Sequence, residues 1–261
     1  MTLTVGSLFS GIGGMDLGLE RAGHTVIWQS EIDPYCNKVL KKHWPTVPNL
    51  GDITTIDWGK VEPVDIICGG YPCQPFSHAG KRNGTADPRH LWPAMHNAIC
   101  RLRPRYALME NVRGHLSMGF GDVLADLAKI GYDAEWQVIP AAAVGAPHRR
   151  DRVFIVAYPN CVRLERQRAE QSTTRFARGY ENKNANVAHA NGAPKQHQQV
   201  WQVPEPNFER CSWWATEPDV GRMANGVSNR VDRFRGLGNA VVPQVAELVG
   251  RLIGEHAKQL K

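Results

Sequence analysis

The chain has 261 residues, 42% hydrophobic and 21% charged, a balance that suits a globular protein and excludes a low-hydropathy disordered chain. That length allows one α/β domain with a small appendage. No apolar run approaches the roughly 18 residues of a membrane helix, and the start MTLTV lacks the basic and apolar parts of a secretory leader, so no membrane association and a cytoplasmic location are expected. Lys and Arg outnumber Asp and Glu by 31 to 25, and the net charge of +6 suits a polyanionic partner without demonstrating one.

The elements then follow in order. LTVGSLF (3–9) is a short apolar strand that runs into a glycine-rich turn, with a helical pattern behind it through Arg21. TVIWQS (25–30) predicts a second strand, and Pro34 to His43 a second helix. VDIICG (64–69) is apolar apart from Asp65 near its start, as a strand covered on both faces must be. Leu91 to Leu102 predicts a helix, Arg105 to Glu110 a strand, 121–130 a helix, and 132–140 and 152–158 two further strands. Strands alternating with helices in this way predict an α/β domain with a mostly parallel, doubly wound sheet. Beyond Tyr158 the composition changes to Gln, Asn, Arg and His without a period of either kind, and regular patterning returns only at 241–260, where Val245, Leu248, Val249, Leu252 and Ile253 share one helical face.

The chemistry-bearing residues gather at strand ends. FSGIGG (9–14) lets the backbone approach a ligand at a helix N-terminus, although the dinucleotide fingerprint is incomplete because residue 16 is Asp. Glu31 stands where an acid commonly holds ribose hydroxyls, and Asp52, in GDI (51–53), where one can accept an adenine amino group beside Ile53. This series favours an adenosine-type cofactor without separating nicotinamide from S-adenosylmethionine. Six cysteines form no C-x-x-C pair and no zinc spacing, and free thiols are expected. Cys73 is set apart by Pro72 and Pro75, which stiffen the backbone around a thiol at a strand end, as a nucleophile requires. The following stretch, 78–90, is basic and reads as a lid over phosphates, with Lys81 and Arg82, or as a plain surface loop. Glu110 falls at the same edge, and alternation along an extended chain would put Arg150 and Arg152 on one side.

Taken in order, FSGIGG (9–14), Glu31, GDI (51–53), GYPCQPFS (70–77), ENV (110–112), HRRDRVFIV (148–156) and GNAVVP (238–243) resemble the motif series of the cytosine-5 DNA methyltransferases, over roughly 3–158 and 235–255. The resemblance implies a Rossmann-like methyltransferase fold with a seven-stranded sheet. It implies a catalytic domain over 1–158, a short target-recognition lobe over 159–219, and a return segment over 220–261 that packs back on the N-terminal half. It further implies S-adenosylmethionine as cofactor, S-adenosylhomocysteine as product, no metal, and double-stranded DNA as substrate. The chain would act as a monomer, with a cognate restriction endonuclease as functional partner. Cys73 would attack ring carbon 6, Glu110 would engage ring nitrogen 3 and the exocyclic amine, Arg152 would hold the carbonyl oxygen, and Arg150 would support the site. Phe9, Gly11, Gly13, Glu31, Asp52, Ile53, Leu91, Asn239 and Val241 would hold the cofactor, with Gln74, Ser77, Lys81 and Arg82 near DNA. His148 departs from the family's usual Gln, and no regular helix is evident in the Arg-rich stretch 220–235. An RNA cytosine methyltransferase is the nearest rival. A nicotinamide oxidoreductase leaves Cys73, Glu110 and the arginines idle, a cysteine hydrolase leaves the acids unexplained, and a non-catalytic DNA-binding module leaves the catalytic side chains unused.

Overall fold

The computed structural model describes residues 1–72, 91–160 and 230–259. The strands are β1 (Thr4–Leu8), β2 (Thr25–Ser30), β3 (Ile66–Gly69), β4 (Tyr106–Val112), β5 (Tyr132–Ile139) and β6 (Arg152–Pro159). The helices are α1 (Gly14–Arg21), α2 (Pro34–His43), α3 (Trp92–Leu102), α4 (Phe120–Lys129), α5 (Arg230–Asn239) and α6 (Pro243–Gln259). Ends are set locally where the sequence allows it. Asp33 caps α2 by accepting from the backbone N–H of Tyr35 and Cys36, and Pro34 fills the first helical position.

The described strands form one six-stranded sheet in the order β2-β1-β3-β4-β6-β5. β2, β1, β3 and β4 are parallel neighbours, whereas β6 runs antiparallel between β4 and β5. An isolated parallel bridge from Gln29 to Asn49 lies beyond β2, where a seventh strand would add. The antiparallel turn-back follows from the short connection between β5 and β6, which holds a single turn of 3-10 helix (Ala141–Val144) rather than a crossover helix.

Two apolar layers cover the sheet. Ile67, Ala107 and Met109 join Met95 and Ile99 of α3 and Leu127 of α4 on one face. Ile66, Cys68 and Leu108 join Met15 and Leu19 of α1 and Val245, Val249 and Ile253 of α6 on the other. The apolar run in β3 thus feeds both layers in alternation.

The C-terminal helix α6 packs on α1 in the N-terminal half. His24 Nε2 lies 2.9 Å from the Gly250 carbonyl oxygen, and Tyr106 Oη 2.9 Å from His256 Nδ1. α1 and α6 approach so closely that a Cβ on Gly18 would collide with the Pro243 carbonyl oxygen and the Ala246 methyl group. Gly18→Ala is therefore expected to lower stability by about 1–3 kcal/mol, read as a lower urea midpoint with an unchanged slope.

One expectation fails. The stretch before GNAVVP ends in a helix, α5, which begins at Arg230 and takes in Gly238 and Asn239. It carries no apolar stripe to announce it: Val231 and Leu237 are 78% and 56% exposed. What fixes it is remote in sequence, an ion pair from Arg235 to Asp33 at 3.6 Å and the seating of Gly236 against Ile12 and Tyr35. At the other boundary, β6 runs through Pro159, and Asn160 still donates its N–H to the Gly131 carbonyl at 2.8 Å. Among the described residues no helix is long and apolar enough to cross a membrane.

Candidate active site

The carboxyl ends of β1, β2, β3 and β4 open into a cleft of about 480 Å³, a size suited to a small organic ligand or cofactor. Its floor is the turn after β1. Gly11 and Gly13 adopt positive φ of 56° and 81°, and Phe9 does so at 52° without being glycine, a strained conformation of the kind that collects at ligand sites. The Ser10 N–H donates to the Ser30 carbonyl and the Gly13 N–H to that of Ser10, which ties the turn to β2 and to itself. A Cβ on Gly14 would strike the Val241 carbonyl, so the first turn of α1 and the residues after α5 meet without room for a side chain.

Glu31 sits at the end of β2. One of its oxygens accepts from the Gly11 N–H at 2.7 Å, the other from the N–H groups of Ile32 and Asp33, both at 2.8 Å. A carboxylate offers about four acceptor sites, so Glu31 holds the glycine turn and retains capacity for a ligand hydroxyl. Asp52 Oδ1 accepts from the N–H and hydroxyl of Thr54, bonds that hold its carboxyl below the usual range while Oδ2 takes no part in this turn. Phe9, Gly11, Glu31, Asp52, Ile53, Leu91, Asn239 and Val241 all line the cleft. Gly13 does not. Its left-handed conformation caps α1, and a Cβ there would enter the Trp44 ring.

At the cleft's other end stands Glu110 on β4, only 8% exposed. β4 and β6 pair so that Glu110 faces Phe154 and Val112 faces Arg152, which makes Glu110 and Arg152 diagonal neighbours on one face. Arg152 Nε meets Glu110 Oε1 at 2.9 Å. Burial nevertheless pushes the Glu110 carboxyl up to about 7, against the pull of Arg152 and Arg150. A carboxyl poised there can donate from one oxygen and accept on the other at neutral pH. Its raised value favours protonation in the fold, so its contribution to stability is full below about 4.5 and is lost as pH rises through about 7. Glu110→Gln should therefore gain in Tm relative to the unaltered chain between pH 5 and 8.

Arg150 departs from the expected alternation. It lies before β6 begins, at φ 38°, because the segment 141–149 folds back through a bond from the Ala141 N–H to the Arg149 carbonyl. Its guanidinium donates to the carbonyls of Gly238 and Ala240 at 2.7 and 2.6 Å, so it clamps the cofactor-side turn rather than lining the cleft. Cys73, Gln74, Ser77, Lys81 and Arg82 lie outside the described residues. The chain reaches Cys73 through Tyr71 and Pro72, which do line the cleft. Tyr71 is held through its carbonyl by Asn111 Nδ2 at 3.2 Å and through its hydroxyl, 2.7 Å from His115 Nε2.

The sequence reading assigned no role to Ile32, Asp33 and Asp232, and offered Arg235 only as a contact to backbone phosphate or a solvated surface residue; all four line the cleft. Ile32, 65% exposed directly after Glu31, was detectable as an apolar residue with no place in a helix or strand pattern. Asp232 depends on α5 and left no local signal.

Comparison with known proteins agrees with this geometry. The fold is shared with DNMT2 of Spodoptera frugiperda (TM-score 0.53, 26% identity, 60% of this chain and 50% of that one) and Dnmt2 methyltransferase of S. pombe (TM-score 0.52, 25% identity, 60% and 51%). Residues 3–215 match the family described as C-5 cytosine-specific DNA methylase, and the chain belongs to that family. Among curated relatives, type II methyltransferase M.Eco47II of Escherichia coli is 39% identical over 167 residues, 60% of this chain and 40% of its own length. M.HgiCII of Herpetosiphon aurantiacus is 36% identical over 157 residues, 57% of this chain and 36% of its own. The chain thus spans well under half the length of these two relatives.

Proposed function

We propose that the chain transfers a methyl group from S-adenosylmethionine to carbon 5 of cytosine in double-stranded DNA. The observation that carries this reading is one continuous cleft with an adenosine-type set (Glu31, Asp52, the glycine turn) at one end and the buried Glu110–Arg152 pair at the other. The cleft's residues fit the cofactor: Gly11 allows close backbone approach, exposed Ile32 offers an apolar face to a purine, and Glu31 and Asp52 keep acceptor capacity for hydroxyl and amino groups. When bound there, S-adenosylmethionine supplies an electrophilic methyl group.

The chain's residues make cytosine able to receive it. Cytosine carbon 5 is a weak nucleophile, so the Cys73 thiolate adds to carbon 6 and drives electron density to carbon 5. Glu110 hydrogen-bonds ring nitrogen 3 and the exocyclic amine, stabilising charge as it develops. Arg152 holds the ring carbonyl oxygen and keeps Glu110 in place. Once carbon 5 carries the methyl group, a water molecule takes its proton, the electron pair of that bond re-forms the ring double bond, and the carbon–sulfur bond breaks to return the thiolate. A stacked base cannot reach Glu110, so the nucleotide flips into the cleft.

In this reading residues 1–158 and 220–261 form the catalytic domain and 159–219 the target-recognition lobe. Gln74, Ser77, Lys81 and Arg82 contact DNA. The chain acts as a cytoplasmic monomer, and the type II names of its relatives support a restriction endonuclease as functional counterpart. The test is duplex DNA carrying 5-fluorocytosine, from which carbon 5 cannot lose its substituent as a proton. A covalent complex that survives denaturation and maps to Cys73 is expected with cofactor present. Adduct with fluorocytosine RNA alone would reassign the substrate, and no adduct with either polymer would overturn the mechanism.

A further inference from the structure

Residue 16, the position at which the glycine fingerprint breaks, is a completely buried aspartate in the first turn of α1. Its Oδ2 accepts from the Ser7 hydroxyl on β1 at 2.9 Å, and its Oδ1 from the Gln29 amide on β2 at 2.8 Å. The Ser10 hydroxyl donates in turn to Ser7 Oγ at 2.9 Å. Ser7 and Ser10 line the cleft, so the carboxylate stands one hydroxyl behind its wall.

The groups that donate to the Asp16 carboxylate, the Ser7 hydroxyl, the Gln29 amide and the residue's own backbone N–H, are all neutral. Among the described residues its charged and titratable surroundings are Glu20 on the next turn of α1 and the buried Cys68 thiol on β3, beside Ser7, and neither offers a positive charge. An ionised carboxylate buried among neutral partners is costly. A neutral amide of the same size would fasten α1 to the two strands without that cost. The α1 N-terminus offsets part of it. The counter-charge that the described residues do not provide is one that a cationic ligand in the cleft would bring, and buried acids beside clefts are frequent signs of such a function.

We infer that Asp16 is a positioning residue that acts through Ser7 to bias the cleft toward a cationic sulfonium ligand and against its neutral thioether product. The inference rests on the cofactor assigned above. S-adenosylmethionine and S-adenosylhomocysteine have nearly the same shape and differ in the methyl group and its positive charge, so a fixed negative charge behind the wall separates them. Burial raises the Asp16 carboxyl to about 6, which leaves it largely ionised at pH 8.

The experiment is titration calorimetry of both ligands at pH 8 with the full chain, unaltered and as Asp16→Asn. The asparagine still accepts from Ser7, and the Gln29 amide can turn its oxygen toward the new N–H, so the wall keeps its shape and loses only the charge. The Kd for S-adenosylmethionine should rise about tenfold, the scale of one charge acting over roughly 10 Å at an effective dielectric near 20, while that for S-adenosylhomocysteine stays within about twofold. Equal weakening of both ligands, or no change in either, overturns the inference. If Asp16→Asn does not fold, Ser7→Ala removes a donor to the ionised form and should lower the same affinity ratio; an unchanged ratio overturns the inference too. Failure of the unaltered chain to bind either ligand overturns the cofactor assignment itself, and this inference with it.

Discussion

Cys73→Ala is expected to reduce methyl transfer by more than roughly a thousandfold, about 4 kcal/mol of transition-state free energy, while S-adenosylmethionine binding stays within about twofold. The size of the effect follows from the substrate. Without addition at carbon 6 the ring has no enamine, and the electron density needed at carbon 5 has no other source. Phe9, Gly11, Glu31, Asp52 and Ile53, proposed to hold the cofactor, follow β1, β2 and α2, well apart in sequence from the thiol. Ligand titration and single-turnover transfer on the same preparation separate the two properties. Turnover near that of the unaltered chain would remove Cys73 from the mechanism.

Glu110→Gln should slow the chemical step by about 10²- to 10⁴-fold, the range of a positioned proton donor or acceptor. Glutamine is the informative substitution because its oxygen still accepts from Arg152 Nε, whereas alanine would leave that cation without its 2.9 Å partner. A glutamine amide cannot exchange a proton with ring nitrogen 3. The variant should therefore also lose any ionisation near 7 from the pH dependence of the single-turnover rate. DNA affinity, measured at fixed salt, should change little. An unaltered single-turnover rate would refute the role assigned to Glu110.

The parts of this fold that read clearly from the sequence are those decided within a few residues. The α2 boundaries follow from Asp33, Pro34 and the turn at Trp44, and β3 from a run too short for a helix and apolar throughout. Glu31 and Glu110 were legible because each ends an apolar run, and Asp52 from its place in GDI (51–53); the structure brings all three to one cleft. Strand direction was not legible: β5 and β6 carry the same patterning whether parallel or antiparallel, and only the short connection between them decides it. Arg150 could not be read correctly from alternation, since its partners lie 88 and 90 residues away. Asp16 looked like a defect in a glycine motif because its partners, Ser7 and Gln29, come from two different strands. α5 escaped because its fastenings to Asp33, Ile12 and Tyr35 are tertiary, while its own composition is polar and broken by Gly236.

The central claim is the reaction itself, and the most direct measurement is transfer of tritiated methyl from S-adenosylmethionine to duplex DNA, with RNA in parallel and base analysis of the product. Label recovered as 5-methylcytosine from DNA is the predicted result. Label on a nitrogen of the base, label confined to RNA, or none in either polymer from a chain that binds the cofactor, would contradict it.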